Sequence, residues 1–218
     1  MIRRVRELLK ENRHVYWTLA VLASIAAFFI FERLVVRDTY YVAHVAIDDK
    51  IPFIPAFVVP YCMWYPALLC IGLHHMIREP EAFRRYAWAL SLSILLPLAF
   101  CAVFPNGQDM RPALEHPDTL FTKVIAGLYA ADTNTNVLPS MHVTGLAAII
   151  FAVFDSKYTR KARYIVPSLI VCALIAVSTV FIKQHSMLDI YWGLVTSAVI
   201  YVIVYVVIKR FQNASKHN

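Results

Sequence analysis

Six long apolar runs constrain what this chain can fold into more than any other feature. They lie at about residues 15 to 36, 54 to 77, 86 to 104, 142 to 154, 164 to 183 and 187 to 208. Of the 218 residues, 60% are hydrophobic and 16% are charged, which is too apolar for an ordinary soluble domain. A bilayer-crossing helix needs about 20 residues, and the fourth run reaches that length if its helix begins near Pro139. The predicted fold class is all-α, an integral membrane bundle of six transmembrane helices.

The lysines and arginines are unequally distributed between the two ends of these runs. If the N-terminus is cytoplasmic, 15 of the 21 basic residues fall on the cytoplasmic side and 6 on the outer side. Cytoplasmic segments of membrane proteins carry the excess of basic residues, so this orientation is the predicted one. Six spans then place both termini in the cytoplasm. The pattern suits a multi-pass protein of a plasma membrane, such as a bacterial inner membrane.

The segments outside the runs indicate a single membrane domain with short flanks. Residues 1–13 place apolar and basic side chains at helical spacing, which predicts an amphipathic helix at the cytoplasmic surface. Residues 14–210 form the membrane domain, and residues 211–218 form a cytoplasmic tail. The net charge of +7 is spread between apolar runs and is not gathered with aromatic residues in one patch. Nucleic acid is therefore not an expected partner.

Two polar stretches place ionisable side chains at the ends of apolar runs. Residues 136–142 read Asn-Val-Leu-Pro-Ser-Met-His, and residues 178–189 end in a histidine followed four residues later by an aspartate. Ionisable groups are costly there, so His142, His185 and Asp189 are functional candidates. If the chain is helical from Gln184, His185 and Asp189 share a face and the carboxylate holds one ring nitrogen. The other ring nitrogen then stays free to react.

The predicted topology gives an independent reason to group these residues. Arg111 follows the third run, His142 opens the fourth, and His185 and Asp189 lie at the turn between the fifth and sixth. With six spans, all of these positions reach the outer face of the bilayer. One composite site at that face is therefore predicted.

The two stretches resemble the second and third signatures of the type 2 phosphatidic acid phosphatase superfamily. Those signatures read Pro-Ser-x-His, and Ser-Arg followed by five residues, His, three residues and Asp. The matching positions are Pro139, Ser140, His142, Ser178, His185 and Asp189. The resemblance implies a bundle of six helices, metal-independent phosphoester chemistry and a phosphohistidine intermediate. It implies an integral membrane lipid phosphatase or phosphotransferase.

Several positions depart from that pattern. The first signature, a Lys seven residues ahead of Arg-Pro, is half present, with Arg111-Pro112 but Phe104. Thr179 occupies the position of the expected phosphate-binding Arg, and Met141 stands where Gly is commonest. The departures affect the phosphate contacts more than the acid–base residues. They look closer to the branch that includes inositol phosphorylceramide synthases.

Phosphoryl transfer needs an in-line nucleophile, an acid for the leaving oxygen and positive charge around the phosphate. The predicted catalytic residues are His185 as nucleophile, Asp189 as the group that orients it, and His142 as acid and later base. The resemblance implies the same roles. The predicted phosphate-binding residues are Arg111 as a planar fork, Ser140 at a helix N-terminus, and Lys183. Lys183 follows Thr179 by four residues, so on a continuous helix it would take the place of the missing Arg.

No metal or other cofactor is expected, because no carboxylate and histidine cluster has ligand spacing. Asp48, Asp49 and Asp109 are predicted to be solvated loop charges. The expected partners are the bilayer and a lipid phosphate. Hydrolysis and transfer to an alcohol both fit the sequence, because they differ only in whether water or a hydroxyl meets the phosphohistidine. A membrane binding protein with an inactive site is a further alternative, and the oligomeric state is left open.

Overall fold

Helices account for most of the chain in the computed structural model, which describes residues 16–35, 39–114 and 116–214. The α-helices are Trp17–Leu34 (α1), Val58–Cys62 (α2), Trp64–Arg78 (α3), Pro80–Val103 (α4), Leu120–Ala131 (α5), Met141–Asp155 (α6), Ala162–Phe181 (α7), Met187–Tyr201 (α8) and Lys209–Ala214 (α9). A π-helix, Val202–Ile208, joins α8 to α9, and 3₁₀ turns occupy Asp48–Lys50 and Pro55–Phe57. The amphipathic helix predicted over residues 1–13 lies outside the described residues.

Five helical segments of the described chain are long and apolar enough to cross a membrane. They are Trp17–Leu34, Pro55–Arg78, Pro80–Val103, Ala162–Phe181 and Met187–Gln212. The second is interrupted at Met63, as its prolines predict, because Pro66 has no N–H to donate to the Cys62 carbonyl. These segments have the length and composition of a multi-pass membrane protein.

The fourth apolar run forms α6, which is shorter than the sequence predicts. The helix begins at Met141, after its cap Ser140, and has 15 residues. At about 1.5 Å per residue it is roughly 22 Å long, below the roughly 30 Å of a hydrocarbon core. Ten of its residues are buried, and it packs against α3, α4, α7 and α8. Because its neighbours surround it, α6 does not need to match the bilayer by itself, and it forms the centre of the bundle.

Two glycines let neighbouring helices approach α6 closely. A Cβ at Gly145 would lie 3.0 Å from the Trp64 ring of α3. A Cβ at Gly193 in α8 would lie 2.9 Å from the Cβ of Val143 and 3.2 Å from the Ser140 carbonyl oxygen. Small residues commonly permit such contacts between membrane helices. The first turn of α6, which carries His142, is therefore held directly against α8.

The connections at this end of the bundle are also ordered. Tyr41–Val42 (β1) pairs in parallel with Asn106–Gly107 (β2). The polar segment between α4 and α6 contains α5, which starts at a capping box formed by Thr119 and Thr122. The Asn106 side chain bonds the main chain of Leu138, accepting from its N–H at 2.8 Å and donating to its carbonyl at 3.1 Å. These contacts fix the segment that leads into α6.

Candidate active site

The two histidines of the predicted site meet in the structure. Nδ1 of His142 lies 3.1 Å from Nε2 of His185, although the residues are 43 positions apart in the chain. His142 is in the first turn of α6, and His185 precedes Ser186, the N-cap of α8. The relative solvent exposure is 9% for His142 and 7% for His185. The site is thus a nearly closed pair of imidazoles at one end of the bundle.

Asp189 contacts His185 as its spacing predicts, but the local structure that makes the contact is different. Nδ1 of His185 lies 3.1 Å from Oδ2 of Asp189, and the same oxygen accepts a hydrogen bond from the Ser186 N–H at 2.9 Å. The helix begins only at Met187, so the condition of a helix from Gln184 is not met. The contact is made across a capping box, in which the side chain of the third helical residue folds back over the helix start.

The neighbours of these rings determine which nitrogens carry hydrogen. With Asp189 ionised, its carboxylate only accepts, so Nδ1–H of His185 donates to it and Nε2 of His185 keeps a lone pair. Nδ1–H of His142 then donates to that lone pair. Burial, and next the charge of Arg111, lower the pKa of His185 below its ordinary value. His185 is therefore neutral near pH 7 and has a nucleophilic nitrogen directed at His142.

Ser140 joins the two motifs through its main chain and caps α6 with its side chain. Its hydroxyl accepts from the Val143 N–H at 3.4 Å, which caps α6. Its own N–H donates to the Asp189 carbonyl oxygen at 3.2 Å. Ser140 has no exposed surface. The sequence predicted a phosphate donor here, and the structure places Ser140 beside the histidines as a link between α6 and α8.

Arg111 is linked to the histidine pair by a hydrogen bond to Gln184, the residue that precedes His185. Its guanidinium donates to the carbonyl oxygens of Asp132 and Thr133 at 2.7 and 2.8 Å, and also to Oε1 of Gln184. It stacks on the Tyr129 ring at 4.6 Å. Within the described residues its buried Nε has no hydrogen-bond partner. Arg111 is therefore a preorganised cation whose Nε–H is still available to a ligand.

Lys183, predicted to replace the missing Arg, is engaged with the turn at residues 48–51. Its Nζ donates to the carbonyl oxygens of Asp48 and Ile51 at 2.9 and 2.6 Å. Helix α7 ends at Phe181 and Lys183 has a φ of 55°, so Lys183 does not continue the helix face of Thr179. The prediction failed because it assumed a continuous helix.

Several residues of the site were not identified from the sequence. The rings of Tyr61 and Trp64 lie 4.8 and 4.6 Å from the His142 ring and form apolar walls around it. Gln184 is 2% exposed and joins Arg111 to the hydroxyl of Tyr61. Asp48, predicted to be solvated, is 1% exposed. No sequence spacing relates these positions to His142, although Gln184 could have been noticed as the neighbour of His185.

Two carboxylates organise the segment between α5 and α6. Glu32, in the last turn of α1, accepts from Thr133 Oγ1 and from Asn136 Nδ2, each at 2.6 Å. Asp132 lies near Arg111, and burial raises its pKa to about 6, with Arg111 opposing and Glu32 adding to the increase. Glu32 therefore fixes the chain whose carbonyls hold Arg111.

No group of three or more His, Cys, Asp or Glu side chains within residues 16–35, 39–114 and 116–214 is arranged to hold a metal ion. Comparisons of the chain with protein-family models, with curated proteins and with solved structures found no match. The functional assignment therefore depends on the residues of this site and their geometry.

Proposed function

We propose that this protein is an integral membrane lipid phosphate phosphatase that forms a phosphohistidine at Nε2 of His185. The observation that carries the proposal is the series Asp189, His185 and His142, in which each contact is 3.1 Å long. A carboxylate that orients an imidazole, with a second imidazole at its reactive nitrogen, provides a nucleophile and an acid–base group together. The resemblance of both motifs to the type 2 phosphatidic acid phosphatase superfamily supports the same roles.

In the first step the lone pair on Nε2 of His185 attacks phosphorus, and the bond from phosphorus to the lipid oxygen breaks. His142 enters this step protonated at both nitrogens, which the phosphate dianion favours, and gives its Nδ1 proton to the leaving oxygen. Asp189 stabilises the positive charge on the phosphorylated ring through Nδ1–H. The 3.1 Å contact between the rings has to open for this geometry, because phosphorus and the leaving oxygen come between them.

In the second step water attacks phosphorus on the phosphohistidine. Nδ1 of His142, now without a proton, takes one from that water as the phosphorus–nitrogen bond breaks. Inorganic phosphate leaves, and His185 regains its lone pair. The cycle uses one water and returns both rings to their starting protonation.

Arg111 is the cation that the proposal assigns to the phosphate. Its Nε is buried without a partner in the described part of the chain, and three of its other N–H groups donate to neutral carbonyl or amide oxygens. A phosphate oxygen is a stronger acceptor than those groups, and an arginine fork suits it. Lys183 and the Ser140 N–H have no part in this assignment, because both are engaged elsewhere.

The proposed location is a plasma membrane, with the histidines near its outer surface and both chain termini in the cytoplasm. The 15 to 6 distribution of basic residues supports this orientation. The headgroup of a lipid phosphate lies at that depth. The substrates considered are phosphatidic acid, phosphatidylglycerol phosphate and polyprenyl phosphates or diphosphates.

Transfer of the phosphoryl headgroup to an alcohol is the second candidate, and the closure of the site favours it. His142 and His185 are 9% and 7% exposed, and the rings of Tyr61 and Trp64 cover His142. A site that restricts water lets a bound hydroxyl compete for the phosphohistidine. Such a protein would resemble the inositol phosphorylceramide synthases in its reaction.

One assay separates these functions. The purified chain in detergent is given a panel of lipid phosphates with and without an acceptor alcohol, and His185→Ala serves as the inactive control. Phosphate release without acceptor supports the phosphatase, and product only with acceptor supports the transferase. No turnover of any lipid phosphate in either condition would contradict both and favour a binding protein with an inactive site.

A further inference from the structure

Asp48 is a buried carboxylate outside the residues assigned above. It begins the 3₁₀ turn Asp48–Lys50 and is 1% exposed. The next residue, Asp49, has the same charge but is exposed, and its carboxylate contacts His44 at 2.8 Å. Two adjacent aspartates therefore have opposite environments, and the burial of Asp48 requires an explanation.

The Asp48 carboxylate closes the N-terminus of α8. Its Oδ1 accepts from the N–H of Met187 at 2.9 Å, and Met187 is the first residue of that helix. Its Oδ2 accepts from the Ser186 hydroxyl at 2.5 Å and from the Val45 N–H at 2.9 Å. A negative charge at a helix N-terminus is favourable because unpaired N–H groups point toward it. Asp48 thus supplies an anion to the helix start from a distant loop.

These bonds continue to the proposed nucleophile. The Ser186 hydroxyl is held by Asp48, and the Ser186 N–H donates to Asp189 Oδ2, the oxygen that also contacts His185. Ser186 directly follows His185 in the chain. Both the backbone after His185 and the carboxylate that orients its ring are therefore held through a residue bound to Asp48.

Lys183 makes the same connection from the other side. Its ammonium donates to the carbonyl oxygens of Asp48 and Ile51, so the turn at 48–51 and the segment 183–187 share four hydrogen bonds. Lys183, predicted as a phosphate ligand, therefore helps to hold the segment that carries His185 against the turn at residues 48–51. Asp48 and Lys183 both line an open cavity of about 300 Å³.

We infer that Asp48 is a positioning residue for His185, which acts through Ser186 and Asp189 to keep Nδ1–H of His185 on the carboxylate and Nε2 toward the phosphorus. This inference rests on the proposed function. Asparagine at this position removes the charge and replaces one of the two oxygens that accept from Val45, Ser186 and Met187 by an NH2 donor, and the His185 ring then turns or changes tautomer. A displacement of about 1 Å in a reacting group lowers a rate by about a hundredfold.

The test compares Asp48→Asn with Asp49→Asn in the full chain in detergent. Asp48→Asn should lower kcat for lipid phosphate by about ten- to a hundredfold with KM nearly unchanged, while Asp49→Asn resembles the wild type. Nitrogen-15 histidine NMR, with the His185 signals assigned from a His185→Gln spectrum, should show one tautomer in the wild type and in Asp49→Asn. Asp48→Asn should show two tautomers or an exchange-broadened ring. An unchanged kcat or an unchanged tautomer would overturn the inference.

Two further measurements keep the outcomes distinct. Ser186→Ala removes the hydroxyl bond to Asp48 and the cap bond from the Leu188 N–H but leaves the Asp48 charge in place. It should shift both readouts in the same direction but less, and it replaces Asp48→Asn if that variant does not fold. If the wild-type chain turns over no lipid phosphate, the proposed function fails. The tautomer of His185 in Asp48→Asn then decides by itself whether Asp48 orders that ring.

Discussion

The N–H of Ser140 donates a hydrogen bond to the carbonyl oxygen of Asp189 at 3.2 Å. This main-chain bond joins the two motifs and aligns the start of α6 with the first turn of α8. That alignment brings His142 and His185 close together, because each lies within four residues of one end of the bond. The contact requires the two backbones to be very close, and Gly193 is the residue that permits this approach.

Replacing Gly193 by Ala should separate α6 from α8. The new Cβ would lie 2.9 Å from the Cβ of Val143, which is closer than such atoms approach, so the helices must move apart. Overpacking of this kind costs about 1–3 kcal/mol of stability. The temperature of thermal unfolding in detergent and the rate of phosphate release should both decrease. Gly127→Ala in α5 is the control, since its Cβ meets nothing within 4 Å, and equal effects of the two changes would contradict this packing.

The two histidines should have separable roles under the proposed function. His185→Ala should abolish the acid-labile phosphoenzyme trapped from radiolabelled substrate, because no nucleophile remains. His142→Ala should still form it, with formation and breakdown slowed by about 10² to 10⁴-fold through loss of the acid–base group. His44→Ala is the control and should behave as the wild type, because the His44 ring bonds the exposed carboxylate of Asp49. A phosphoenzyme in His185→Ala would exclude this residue as the nucleophile.

Arg111 should contribute its planar fork and not only its charge. Arg111→Ala should lower kcat/KM about ten- to a hundredfold, since charge-assisted hydrogen bonds contribute roughly 1.5–3 kcal/mol. Arg111→Lys should restore less than half of that loss on a logarithmic scale, because one ammonium cannot replace the fork. Steady-state kinetics with a soluble short-chain lipid phosphate measures both. Lys123→Ala, on an exposed position of α5, tests for a nonspecific charge effect, and full activity of Arg111→Ala would remove Arg111 from the site.

The side-chain carboxylate of Asp132 should lower the free energy of unfolding at neutral pH. Its folded-state pKa of about 6 exceeds the ordinary value, so the folded chain binds more protons than the unfolded chain between about pH 4 and 6. The stability linked to this proton is present at low pH and is lost as the pH rises through 6. Asp132→Asn should therefore raise the unfolding free energy by about 1–3 kcal/mol at pH 7.5, and the difference should shrink toward pH 4. Paired thermal unfolding curves at these pH values measure it, and a constant difference would contradict the burial of a charged Asp132.

The proposed orientation predicts a labelling pattern in intact cells. A membrane-impermeant maleimide should react with Asp118→Cys, between α4 and α5, without disruption of the cells. Lys161→Cys, just before α7, should react only after permeabilisation, because the basic connection there is assigned to the cytoplasm. The wild-type chain gives the background from the native cysteines. The reverse pattern would place the histidines at the cytoplasmic surface.

Much of the helical framework could be predicted from the sequence, since membrane insertion and helix formation depend on local composition. The apolar runs correspond to the observed helices, and the spacing of His185 and Asp189 predicted their contact. The fourth run is short by itself, and the prediction that its helix spans the bilayer required a start near Pro139, whereas α6 begins at Met141 and has 15 residues. A helix enclosed by others can be apolar and still be too short to span a bilayer.

The roles of individual charges could not be predicted in the same way. Asp48 and Lys183 belong to polar loops, and their spacing gives no sign that each would find its partner about 135 residues away. Arg111 does contact Gln184, the residue before His185, but Gln184 itself was missed. Long-range hydrogen bonds depend on where separate segments converge, and no periodic pattern records that.

Composition and local spacing were enough to predict that this chain makes apolar helices with two polar motifs at their ends, because transfer free energy and helical spacing act over a few neighbouring residues. The folded structure was needed to show that the two imidazoles contact each other, that Asp48 is buried and that Lys183 bonds the turn at residues 48–51. Those outcomes depend on close contacts between α6 and α8 and on hydrogen bonds to a distant loop, which exist only after the helices have packed.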